Sequence, residues 1–598
     1  MKVLIYCKKI FLVVFISAVI LLQLNNSSFA QWEVMNGPYG GTIFTLNKMD
    51  NWIFAGTPMG IFRSSNNGRV WDRVLTFRDK TVRTIVNDGK NIIARSLKSF
   101  FRSTSSGTTW SEINNGINAE NVYGMFVFSN EIYAAEKKNL FRLDLNTETW
   151  TKVAAEIPNN EAVQSFCANG TYIFVLTTSG NIYRIKKAEG NWEKVLSGYY
   201  SRYDNVFFVN SGEIYFASNK GLLKTLDNFS TYTILNSISC NCVTVKDNFI
   251  LTGSFGSGLS VSIDNGSSWN DIRLINEKYY SVLISDRTFF AGAFMGGVWL
   301  SEDNGSEWIN SSRGIDIPFI SNIILMDKKL LCCGEGIGVY QSVNGGYEWT
   351  ESNKGLNTAS TNLFSIFNSK LFLGTAKGVY VSNDQGVTWE TANVSLPQNF
   401  NVNYFMNYDN KYLYAGGNGL HYTTNDGRSW VNCLENLPPS TEVMSIFKSD
   451  KKVIIGTKDG IFSCELPGSP WERVKSDMKK QAEINSLVKI SDFILATTLS
   501  GIYSSPDMGI NWGMIKNSFA DYGKLIALDN YLIYTKGMNV SADNGRTWKS
   551  HGEDLKDYIT ENNTVSIVNS AVILNEDVFV GTTCGPIFKI RALNLFNP

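Results

Sequence analysis

A hydroxyl placed two residues ahead of a carboxylate recurs along this chain, and such a pair could hold a cation or pass a proton. The full pattern is Ser-x-Asp-x-Gly-x-x-Trp. It stands at Ser262, Asp264, Gly266 and Trp269; at Ser301, Asp303, Gly305 and Trp308; and at Ser382, Asp384, Gly386 and Trp389. It stands again at Ser505, Asp507, Gly509 and Trp512, and at Ser541, Asp543, Gly545 and Trp548. Another copy, Ser64, Asn66, Gly68 and Trp71, carries an amide where the acid would be. Asn344 and Asn425 repeat that exchange, and Ser105 puts a hydroxyl there. A calcium ligand or a catalytic acid needs the carboxylate, whereas a turn needs only an oxygen that accepts backbone N–H groups. The exchanges therefore make the motif a fastener for a turn, with the glycine supplying a positive φ.

Other residues could still do chemistry. A glycosidase needs two carboxylates roughly 5–10 Å apart, and Asp316, Glu335 and Asp459 are the candidates in connecting segments. Only His421 and His551 are present, so histidine-dependent catalysis and zinc ligation have little material. The cysteines that follow the first thirty residues show no paired spacing and mostly lie in apolar runs, which reads as buried thiols. No phosphate-cradling loop or metal-ligand cluster occurs, and neither a cofactor nor a metal is expected.

The elements that must position these groups follow from the aromatic ladder. Counting Trp32, Trp150, Trp192, Tyr232 and Trp471 with the motif tryptophans gives fourteen rungs spaced by 36–42 residues. Between rungs lie four short runs rich in β-branched and aromatic residues, bounded by Gly, Asn, Asp and Ser, as in residues 42–74. That is a strand signature, and four antiparallel strands per period of about 40 residues make one propeller blade. The expected fold is all-β, two tandem seven-bladed propellers of four-stranded blades. Trp32 begins an orphan fourth strand, and the chain ends on three strands without a fourth. The expected boundaries are a leader at 1–30, a first ring at 31–305, a second at 306–592 and a tail at 593–598. An exchange of strands between the rings is left open.

The chain has 598 residues, 54 Lys+Arg against 54 Asp+Glu. With no basic surplus, nucleic acid is not an expected partner. Lys2, Lys8 and Lys9, the apolar run from Ile10 to Leu22, and Ser28-Phe29-Ala30 form a cleavable secretory signal. No later run is long enough to span a bilayer, so a secreted or otherwise extracytoplasmic location is expected.

The motif and its spacing resemble the Asp-box, or BNR, repeat found in sialidases, sortilin-like receptors, photosystem II assembly-factor-like proteins and xyloglucanase-type glycoside hydrolases. Two rings with an opening like Trp32-Glu33-Val34 through Gly40-Gly41-Thr42 look most like the last of these. The resemblance implies a catalytic carboxylate in the turn Gly56-Thr57-Pro58-Met59-Gly60. Pro58 stands in its place, and proline transfers no proton.

In propellers the turns between second and third strands share a face with the links between blades. Aromatic residues in those links, Tyr199, Tyr200, Tyr203, Tyr279, Tyr280 and Phe319, are the candidate ligand contacts. The expectation is a secreted non-catalytic propeller that binds a glycan or a protein partner, or a structural component of an envelope assembly. The alternative is a xyloglucanase-like endo-glucanase. A chaperone-like assembly factor is a third class.

Overall fold

The computed structural model describes residues 32–596 except 76–80, 154–155, 188–189, 202–205, 276–277, 435–436, 439–440, 450–451, 466–468, 475–481, 516–517, 522, 553–554, 556–567 and 584. The expected leader at 1–30, the end of the tail at 597–598 and Tyr203 lie outside the described residues.

One blade shows why these sequences form these strands. Thr45–Met49, Trp52–Thr57, Gly60–Ser64 and Asp72–Leu75 pair in order as an antiparallel sheet. Trp52–Thr57 is buried at all but its first residue, because a neighbouring blade covers each face. That is why second and third strands read as continuous apolar runs, where a sheet with one wet face would alternate. Fourth strands such as Glu390–Thr391 lie at the exposed rim.

Among the described residues fourteen such four-stranded sheets form, and first strands pack against one another around two rings. The first ring runs from Thr45–Met49 to Ile309–Asn310. Its ends meet where the Leu46 amide donates to Ser281 Oγ at 2.9 Å. The second ring starts at Asn322–Met326, whose Ile323 amide donates to Ser570 Oγ at 3.1 Å on the last blade.

The expectation that residues 31–305 hold the first ring, orphan strand included, is corrected by the strand pairing. Glu33–Val34 pairs with Phe588–Arg591, with Glu33 opposite Lys589 and Val34 opposite Phe588. The N-terminal strand thus completes the last blade of the second ring, beside Val568–Leu574 and Asp577–Thr582. Trp32 packs there, in a cluster with Val578, Val580 and Phe588. The first ring takes all seven blades from residues 45–310 and needs no borrowed strand. Nor is there a mutual exchange: the crossing is one-way, because among the described residues no strand of 322–591 enters a blade of the first ring.

The link after that strand then passes between the rings. The Gly40 amide donates to Ile315 O at 2.8 Å, and the Gly297 amide donates to Gly41 O at 2.8 Å. Among the described residues no helix is long and apolar enough to cross a membrane.

Candidate functional site

Each Asp-box closes its own turn. Ser262 Oγ donates to Asp264 Oδ1 at 2.8 Å and accepts from the Gly266 amide at 2.8 Å. The Ser268 amide and hydroxyl donate to the two Asp264 oxygens at 2.8 and 2.6 Å. The Ser268 hydroxyl, then its amide, hold the Asp264 carboxyl below the usual range. With both oxygens occupied inside the turn, Asp264 has little left for a cation. Where Asn66 replaces the acid, its Oδ1 still accepts from Ser64 Oγ and from the Val70 amide. Among the described residues no group of three or more His, Cys, Asp or Glu could hold a metal.

The opposite face carries the richer chemistry. Links and turns of the two rings meet there, with the Ala359 amide donating to Ile275 O at 3.1 Å. Gly336 abuts the first ring so closely that a Cβ would lie 2.7 Å from the Met295 carbonyl carbon. Beside this contact a cavity of about 290 Å³ is lined by Lys278 and Phe294 from the first ring and Glu335, Thr358, Ser360 and Lys377 from the second. Glu335 Oε1 accepts from Ser360 Oγ at 2.8 Å and lies 3.6 Å from Lys278 Nζ. It is the only carboxylate among the described residues that line the cavity.

An aromatic platform leads to that cavity. Ring centroids are 5.5 Å apart for Phe44 and Tyr280, 5.8 Å for Phe255 and Tyr280, and 5.8 Å for Phe255 and Phe294. Cations flank it. Lys278 Nζ lies 5.5 Å from the Phe255 centroid and 5.3 Å from that of Phe294, and the Arg83 guanidinium lies 4.1 Å from Phe44. Phe255 is 40% exposed. Tilted rings with open edges beside cations can stack on a sugar ring or anchor an apolar side chain.

No family model matches the chain, and no curated protein does. Solved structures do. The GH74 enzyme of Niastella koreensis superposes with a TM-score of 0.56 over 94% of this chain and 99% of its own, at 14% identity. An ancestral GH74 enzyme superposes with a TM-score of 0.61 over 94% of this chain and 98% of its own, at 13% identity. The fold is a tandem pair of propellers. At these identities the likeness reaches no further than the fold.

Within this tandem propeller the three candidate carboxylates occupy separate settings. Glu335 lies in the cavity. Asp316 accepts from Arg73 Nη2 at 2.6 Å in the link between the rings, beside the isolated bridge of Gly40 to its backbone. Asp459 is exposed in the turn between Val453–Thr457 and Gly460–Cys464, on another blade. The turn at Pro58 is held by Thr57 Oγ1, which donates to Gly60 O at 3.0 Å and accepts from the Met59 amide at 3.1 Å.

The aromatic candidates divide in the same way. Tyr199 is buried and exchanges a hydrogen bond with Tyr232 Oη at 2.9 Å. Burial, then that bond, push its phenol up to about 12. Tyr279 is fully buried. Both are core residues, which corrects their expected place on the binding face. Tyr200 is 52% exposed, resting on Gly180. Phe319 is half-buried where its carbonyl meets Gly334. Tyr280 alone joins the platform. The sequence reading missed Phe44, Phe255, Phe294, Lys278 and Ser360. Their shared signal is position, since each opens a first strand, precedes one, or sits in a turn after a second strand.

Proposed function

We propose that this chain is a non-catalytic binder of polysaccharide that works outside the cytoplasm and holds its glycan on the aromatic platform beside the inter-ring cavity. The observation that carries this reading is the pairing of an aromatic surface with a cavity that has one carboxylate among its described lining residues. Hydrolysis of a glycosidic bond takes two, and Glu335 is already engaged by Lys278 and Ser360. The extracytoplasmic location follows from the leader read at residues 1–30.

The experiment is retention on immobilised xyloglucan and mixed-linkage β-glucan, run beside a reducing-end assay. The expected result is retention without release of reducing ends, and loss of retention in Phe255→Ala. Release of reducing ends that disappears in Glu335→Ala would replace this reading with the second one. That second reading, a xyloglucanase-like glycoside hydrolase, is favoured by the presence of Glu335 in the inter-ring cavity and by the GH74 enzymes among the structural neighbours.

A further inference from the structure

The first strands of the second ring share an irregularity. Pairing with the second strand skips one residue between Thr361 and Leu363, Val402 and Tyr404, Val443 and Ser445, Ile484 and Ser486, and Val568 and Ser570. Each skip is a β-bulge, which releases one residue from the ladder and re-aims its side chain. The residues released are Asn362, Asn403, Met444, Asn485 and Asn569. In the other two blades Asn322 and Lys524 stand at the matching place. The register is fixed by a shared bond, since the Ile323 amide donates to Ser570 Oγ at 3.1 Å and the Leu525 amide to Ser486 Oγ at 3.0 Å. First strands are innermost in each blade and pack on one another around the ring. These seven positions therefore form a collar at the link-side mouth of the hub, with five asparagines, a methionine and one lysine.

Most of the collar is satisfied from within. Asn362 Nδ2 donates to Val402 O at 2.8 Å, Asn569 Nδ2 to Ile320 O at 2.8 Å, and Asn322 Nδ2 to Ser570 Oγ at 3.1 Å. Two adjacent members differ. Asn485 is 4% exposed, and its Nδ2 has no acceptor. A buried amide donor without a partner costs about 1–3 kcal/mol, a cost that an incoming acceptor would remove. Lys524, on the next blade, pairs with no carboxylate among the described residues. The residue reaches solvent, and desolvation by the surrounding protein lowers its pKa. Of the acids in these links, Glu442 pairs with Lys458 at 2.6 Å and Asp521 with Lys536 at 3.2 Å. An unmatched cation and an unmatched amide donor on neighbouring first strands, tied by the bond from the Leu525 amide to Ser486 Oγ, are the inverse of an oxyanion: charge from one, a directed N–H from the other.

We infer that the collar of the second ring is an oxyanion site, in which Lys524 supplies the charge and Asn485 the amide donor for a carboxylate or sulfate group. The site is separate from the aromatic platform, and glycan binding there neither requires it nor follows from it.

The test is calorimetric titration of the full chain with galacturonate, inorganic sulfate and neutral methyl galacturonate ester. Saturable binding of galacturonate is expected, weakened about tenfold or more in Lys524→Gln and in Asn485→Ala. The neutral ester should not bind. Sulfate binding as tightly as galacturonate identifies a bare oxyanion as the ligand, and preference for galacturonate identifies an acidic sugar; both uphold the site. Lys524 is solvent-exposed, so its variant should keep the wild-type melting temperature. Binding unchanged in Lys524→Gln, or no saturable binding of either anion, would overturn the inference.

Discussion

The indole N–H of Trp71 donates to the carbonyl of Ser311 at 2.8 Å, across 240 residues of chain. Consecutive blades are joined by the same bond, from Trp150 to Ile113 O at 2.9 Å and from Trp389 to Ser352 O at 2.8 Å. The first ring is thus closed by the fastener that links neighbours elsewhere. Gly314 makes the close approach possible. It has φ +97°, and a Cβ there would lie 2.0 Å from Trp71 O. Gly314→Ala should destabilise the first ring far more than Gly89→Ala, whose glycine also has positive φ (+87°) but open space around it. The control should cost only the backbone strain of about 1–2 kcal/mol. Thermal unfolding of the two variants checks this, and equal losses would remove Gly314 from any role in closure.

Removal of residues 32–36 should weaken the second ring, although they precede the first. Glu33 pairs with Lys589 in the ladder and through an ion contact of 2.7 Å. Hydrogen exchange should show lost protection in Val568–Leu574 and Asp577–Thr582 and retained protection across 45–310. Loss concentrated in the first ring would contradict the strand pairing.

Acid should loosen the Asp-box turns. The Asp384 carboxyl is held down to about 2 from an ordinary 3.8: partial burial raises it, and bonds from the Thr388 hydroxyl and amide and from Ser382 outweigh that. A depressed carboxyl stabilises the fold above its unfolded pKa and loses that contribution as pH falls through the folded value. The melting temperature should therefore drop as pH falls from 3.8 toward 2, and Asp384→Asn should flatten that part of the profile. Near pH 7 the same variant should lose the charge-dependent part of that contribution and keep the turn, because an amide oxygen still accepts the equivalent bonds at Asn66.

A buried tyrosine and an exposed phenylalanine separate core from surface. Tyr199→Phe removes the hydroxyl from the Tyr232 bond, which should cost about 0.5–1.5 kcal/mol in stability and leave glycan retention unchanged. Phe255→Ala should do the reverse, with retention lost and melting nearly unaffected. A Tyr199 variant that lost retention at unchanged stability would move the binding face.

The blade was legible because one turn is spelled out repeatedly, and its tryptophan marks the fourth strand. The number of blades follows from counting. Which ring owns Trp32 does not, since a fourth strand reads alike wherever it pairs. The site was less legible for a related reason. Tyr199 and Tyr200, or Tyr279 and Tyr280, are neighbours in links without a fixed period, so no alternation says which ring turns inward. Phe255 and Phe294 lie in turns where an aromatic residue reads as ordinary, and only the approach of neighbouring blades makes them a surface. Glu335 was visible as a carboxylate in a connecting turn, while its partner Lys278 comes from the other ring.

The one-way crossing of Glu33–Val34 sets an order of events for the chain. A strand made first must wait, unpaired, until the last strand exists. Closing the second ring joins Glu33–Val34 to Phe588–Arg591 across the whole intervening first ring, a contact of very large sequence separation and therefore slow to form. Until then the strand Phe588–Arg591 is an open edge, the kind that recruits strands from other molecules. Closure is thus also the step that silences the edge, so an intact N-terminus guards this protein against pairing with its own copies.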